Sequence, residues 1–164
     1  TFDYFTQAVT GTEGASRTDY TPSEDDNVIV QGVSGNQGGV GYFGYAYYEQ
    51  NQQRLKALSI DGVAPNPETI AGGTYPLARP IFIYFNAEAL RRPQVRRFAQ
   101  YYVANAGQLA TQVGYVALPD TAYATLAERV SSAQIGTAFG GHQEVGVNIT
   151  EVLARPLSME ATAE

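Results

Sequence analysis

Cysteine and tryptophan are both missing from the 164 residues, histidine occurs once, and only 16% of the chain is charged. Without cysteine there are no disulfides and no thiolate metal ligands, and the compartment's redox state leaves no mark. One histidine, His142 in "FGGHQEVG", does not make a metal site without a second ligand of its kind. It supports no Ser-His-Asp order either, and reads as a solvated or structural residue. Positive charge is scarce: ten Lys and Arg stand against sixteen Asp and Glu, for a net charge of −6 and an isoelectric point near 4.7. Binding to a nucleic-acid backbone needs a basic surface, so this balance argues against nucleic acid as a partner. No apolar run reaches the roughly 20 residues that a membrane-spanning helix requires. The chain opens on Thr1 with no leader pattern, which leaves a cytoplasmic protein or a processed or truncated secreted one.

What is present is a globular composition, 44% hydrophobic, with twelve tyrosines suited to half-buried or interface positions. Thr1 followed by Phe2, Phe5 and Val9 at helical spacing reads as a helix capped by its first residue. Gly11 and Gly14 break it, and 12–27 read as a polar loop. Ser23 or Asp25 can cap a short helix through "NVIVQGV", although that run equally suits a strand. "VGYFGYAYY" (40–48) reads as a buried strand passing into a short helix, "RLKALSI" (54–60) as a strand, 61–69 as a loop, and "ETIAGG" as a short helix ended by glycine. "PIFIYF" (80–85) carries the strongest strand pattern in the chain. A helix is expected over 92–105, with Pro93 in its first turn and Val95, Phe98, Ala99 and Tyr102 along one stripe. Further helices are expected over 107–114, 119–132 and 148–154, the last capped by Asn148, and the tail from Pro156 reads as loose. Strands alternating with helices make the class α/β or α+β.

Several groupings could carry chemistry. "GVGYFG" (39–44) matches the dinucleotide pattern, with Asp61 following it. The pattern needs its first glycine at a strand end, but 34–38 intervene, and Tyr42 and Phe43 fill the slots between glycines. Glycines where backbone packs closely are the plainer reading. Glu24, Asp25 and Asp26 read as a solvated helix start. Arg91, Arg92, Arg96 and Arg97 make either a solvated face or a docking patch. Thr1 is the sharper candidate, since a hydroxyl and the free amides of Phe2 and Asp3 at a helix start form an anion site without net positive charge.

In order, "TFDYFTQAVTG", "GVGYFGYAYYEQN", "PETIAGGTYPLARPIFIYF" and "VGYVALPD" resemble the C-terminal half of the PstS-type phosphate-binding proteins, the cyanobacterial branch above all. The resemblance runs from Thr1 to about Leu153. It implies an α/β, periplasmic-binding-protein-like fold with two lobes joined by crossing strands and the ligand in the cleft, represented here only by its C-terminal half. Residues 1–78 would be the later part of the inserted second lobe. Residues 79–164 would hold the returning crossover and the closing part of the first lobe, with 75–80 as the interlobe connector. In the family an Arg-x-Asp-x-Ser-Gly-Thr stretch grips phosphate at a helix start. Only its Thr has a match here, Thr1; the others would precede it. Asp3 is not the family's ligand Asp, and "SRTD" (16–19) follows the helix rather than preceding it.

The implied function is the phosphate-binding subunit of an ABC uptake system, periplasmic or attached to the cell envelope, with no catalysis, cofactor or metal. Its partners would be inorganic phosphate, the transporter's permease and the missing N-terminal half. Phosphate would meet Thr1 and the backbone amides of Phe2 and Asp3. Dense hydrogen bonding can hold an anion on an acidic protein. Two other classes compete: a nucleotide-dependent oxidoreductase using Gly39 to Gly44, and an interaction domain of the same fold without a working site.

Overall fold

The computed structural model describes residues 1–140, 142 and 144–159. Three of its helices, those that follow Asp25, Asn66 and Asn148, start where a side chain accepts from a first-turn amide. α1 (Phe2–Thr10) has Thr1 at its N-cap position and stops at Gly11, whose φ of 76° places it in the left-handed region. α2 (Asp26–Ser34) is capped by Asp25, which accepts from the Asn27 amide at 2.9 Å. The Asp25 amide is in turn tied to the Ser23 hydroxyl at 3.0 Å. This cap resolves "NVIVQGV" as helix rather than strand. α3 (Tyr45–Glu49) is short. α4 (Pro67–Ala71) starts with a reciprocal capping box between Asn66 and Thr69. A 3₁₀ turn at Ala89–Arg91 leads into α5 (Pro93–Gln112), and α6 (Asp120–Ser131) and α7 (Ile149–Ala154) follow.

α5 is one helix where two were expected. Gly107 in its middle costs about 1 kcal/mol relative to alanine in an isolated helix. Here it faces α6, where an added Cβ would stand 3.0 Å from the Tyr123 ring. That close approach explains the glycine, and packing on α6 offsets its cost. Ala99 and Ala122, both buried, are further small residues on these two helices. α7 joins the rest through its cap. Asn148 accepts from the Thr150 amide at 2.8 Å and donates to the Gly72 carbonyl at 2.5 Å, tying α7 to the end of α4. Arg129 of α6 donates to the Leu153 carbonyl at 2.7 Å. The expected loose tail is not loose at its start, because Ser158 and Thr137 exchange two backbone hydrogen bonds of 2.9 Å. Arg155 donates to Glu144 at 2.6 Å, and this partner holds the Glu144 carboxyl below the usual carboxylate range. Residues 160–164 of the tail lie outside the described residues.

The expected strands do not form. Among the described residues, pairing is limited to two isolated antiparallel bridges, Ile60 with Val63 and Thr137 with Ser158. The first closes the turn at Asp61 and Gly62, both at positive φ, as a two-residue hairpin turn requires. Residues 40–44, 55–59 and 80–85 stay extended or irregular, so the α/β class is not displayed by this chain's own pairing. The physical reason is that a strand satisfies its amides and carbonyls only through a neighbour. None of these segments runs along another. "PIFIYF" is consequently open: Ile81 is 71% and Tyr84 79% exposed.

The buried set is small: Tyr4, Val30, Ala46, Ala99, Ala122, Ile149 and Val152, with Thr6 as the buried polar residue. The accessible surface is 11342 Å², against about 8,000 Å² for a compact monomer of this mass. Exposed apolar side chains contribute to it, among them Ile81, Phe82, Ile83 and Tyr84 of the extended segment and Phe98 and Tyr101 of α5. Surface of this kind favours association. Light scattering on the isolated chain is therefore expected to give a particle heavier than 17.7 kDa. A monodisperse monomer with 80–85 paired on both edges would contradict this.

Candidate functional site

The first turn of α1 leaves its hydrogen-bonding groups uncommitted. Thr1 occupies the N-cap, and its carbonyl accepts from the Phe5 amide at 2.9 Å, but its side chain makes no capping hydrogen bond. The amides of Phe2 and Asp3 have no intrahelical acceptor, because the residues that would supply one lie before the helix. Thr1 and Asp3 are exposed and Phe2 half-buried. The helix beneath them is firmly seated. Buried Thr6 donates to the Phe2 carbonyl at 2.9 Å and accepts from the Gly14 amide at 2.8 Å. Phe5 stacks on Tyr42 with ring centroids 3.9 Å apart, and Phe2 on Tyr20 at 6.0 Å.

Residues 78 and 79 reach this helix from far along the chain. Buried Tyr4 donates its hydroxyl proton to the Ala78 carbonyl at 3.1 Å. The Arg79 guanidinium lies 5.1 Å from the centre of the Tyr4 ring and donates to the Thr1 hydroxyl at 3.0 Å. A hydroxyl, two free amides and a guanidinium thus converge on one helix end, a set of donors able to hold an oxyanion.

Thr1, Phe2 and Asp3 stand at the start of a helix, which is where the sequence places one. Arg79, at the same helix end, was not singled out in the sequence. In the sequence it stands between prolines in a segment read only as a connector, and nothing local links it to Thr1. Arg17 and Asp19 of "SRTD" pair with each other in a two-point ion pair of 2.7 and 2.5 Å and stay on their loop. Asp26 has its carboxyl pushed up by partial burial and by its neighbour Asp25. Of the arginine cluster, Arg91 pairs with Glu88 at 3.2 Å on an exposed face. A shallow groove of about 460 Å³ runs beside α1, lined by Phe5, Thr6, Thr10, Ala15, Ser16, Arg17 and Tyr42, and does not include Thr1.

Gly39 to Gly44 form no strand-turn-helix unit. Gly41 packs against α2, where an added Cβ would lie 2.7 Å from a Val33 methyl and 2.9 Å from one of Ile29. Gly44 caps α3, a helix of five residues. Close packing on α2 explains Gly41.

Comparison with known proteins defines the class. The PBP superfamily domain matches residues 1–106, and the chain belongs to that superfamily. The chain is 45% identical, over 93% of its length and 47% of the relative's, to Protein SphX of Synechococcus elongatus. It is 45% identical to Protein SphX of Synechocystis sp., over 98% of this chain and 49% of that one. It is 37% identical to the phosphate-binding protein PstS of Staphylococcus haemolyticus, over 75% of this chain and 40% of that one. The chain therefore spans about half the length of the SphX relatives that it matches. No solved structure matches it. These relatives bear out the resemblance read from the sequence.

Replacing Gly41 by Ala tests the packing reading of the glycine run. The added methyl should destabilise the fold by about 1–3 kcal/mol, the usual cost of overpacking. Urea unfolding measures it, and a variant as stable as the parent would remove the steric account.

Proposed function

We propose that the chain is the later half of a phosphate-binding subunit serving an ABC uptake system at the cell envelope, and that it binds without catalysing. The observation that carries this reading is the unused cap of α1: Thr1 leaves its own helix amides unbonded while a guanidinium stands beside it. Relatives named as phosphate-binding proteins supply the ligand's chemistry. In this reading phosphate meets the Thr1 hydroxyl and the amides of Phe2 and Asp3, and a preceding half contributes the remaining ligands. That the chain spans about half of its SphX relatives supports this division. Residues 1–78 then form the later part of a second lobe, and 79–164 the returning crossover and the closing part of a first lobe. The exposed 80–85 segment would find its strand neighbours in the preceding half, and the permease would receive the loaded protein.

Calorimetric titration of inorganic phosphate into the protein produced with its upstream coding segment is the test. Thr1→Ala should weaken binding by about 1.5–3 kcal/mol, the range for a hydrogen bond to a charged group. Unchanged affinity would take Thr1 out of the site, and absence of phosphate binding by the parent would end the reading.

A further inference from the structure

Threonine at an N-cap ordinarily spends its oxygen on the helix's own second or third amide. Thr1 does not; its oxygen accepts from Arg79 instead, at 3.0 Å. A hydroxyl has one proton and two lone pairs, and a guanidinium can only donate. The contact therefore fixes Thr1 as the acceptor toward Arg79 and leaves the hydroxyl proton for a third group. Drawing electron density toward a cation also makes that proton a better donor.

The guanidinium is held in place by a buried part of the same helix. Its carbon lies 5.1 Å from the centre of the Tyr4 ring, Tyr4 is 8% exposed, and the Tyr4 hydroxyl anchors the Ala78 carbonyl next door. Pro80 follows directly and narrows the backbone freedom of Arg79. Five of the other arginines have their charge or donors spent elsewhere, while the side chains of Arg92, Arg96 and Arg97 make no ion pair or hydrogen bond among the described residues. Arg17, Arg91 and Arg155 pair with carboxylates. Arg129 serves carbonyls, and Arg54 the Ser34 hydroxyl. Among the described residues Arg79 makes no ion pair, not even with Asp3 in the first turn of α1. An unneutralised cation beside the positive end of a helix is electrostatically unfavourable. An oxyanion accepting from the amides and from the Thr1 hydroxyl would reconcile the two.

We propose that Arg79 is a positioning residue for oxyanion binding, fixing the Thr1 hydroxyl as a donor to the ligand and offsetting the ligand's charge. This rests on the phosphate-site reading of Thr1. It predicts that Arg79 acts through Thr1, so the two substitutions are not independent.

A double-mutant cycle with inorganic phosphate tests this, in the protein produced with its upstream segment: parent, Thr1→Ala, Arg79→Gln and the double variant. Arg79→Gln alone should weaken phosphate roughly tenfold, within the range for hydrogen bonds to charged groups. In the Thr1→Ala background the same change should cost far less. Arg79→Lys should fall between, because it keeps the charge but lacks the planar fork over Tyr4; it also serves should the Gln variant fold poorly. Full multiplication of the two losses, or no loss for either Arg79 variant, would overturn the positioning role while leaving Thr1 as a ligand. No loss for Thr1→Ala would overturn both readings.

Discussion

Backbone amides and carbonyls must be paired wherever water is excluded, and among the described residues helices, their caps and turns do nearly all of the pairing. A helix completes its ladder from within a single segment, so α5 and α6 can be built from neighbouring sequence and then docked. An extended segment has no such independence. Residues 80–85 are the most apolar extended stretch and lie open, since no other segment offers them a ladder. The small buried set and the large accessible surface follow from the same constraint. Cover for a sheet cannot be supplied before the sheet exists.

Order in the described residues is therefore concentrated where helices meet through small residues and side-chain ties. Gly107 lets α5 approach Tyr123. Asn148 joins the end of α4 to the start of α7 across most of a hundred residues, through the Gly72 carbonyl. Tyr4 does the same for α1 and the 75–80 segment. Each tie satisfies a polar group that would otherwise be left over at a helix end or in a turn. These ties, rather than a broad apolar core, set the relative placement of distant segments.

The site inherits its character from one of them. A chain of net charge −6 is not an obvious host for an anion. In the proposed site local donors would decide the matter, because a hydrogen bond to a charged group acts over ångströms while the net charge is screened over about a Debye length. Tyr4 brings the 78–79 segment against α1, and Arg79 arrives with it. The guanidinium then occupies the Thr1 oxygen that would have capped the helix, which leaves the first-turn amides open.

The helices were legible in the sequence because their signals are local: the 3.6-residue periodicity of 92–105, Pro93 in the first turn, Asp25 and Asn148 as caps. So was family membership, carried by motifs in fixed order along nearly the whole chain. Strand patterns at 40–44, 54–60 and 80–85 were equally visible but stated only a preference, since pairing depends on a partner segment that no local pattern supplies. Thr1 could be named from its place before an apolar helical stripe. Arg79 could not, because its role is set by a contact across 78 residues of sequence. The sequence by itself determined where most helices start and which chemistry α1 can offer an anion. Only the tertiary structure decided that Thr1 turns its oxygen to Arg79 and that Gly41 serves packing on α2, because both depend on which distant atoms come within a few ångströms.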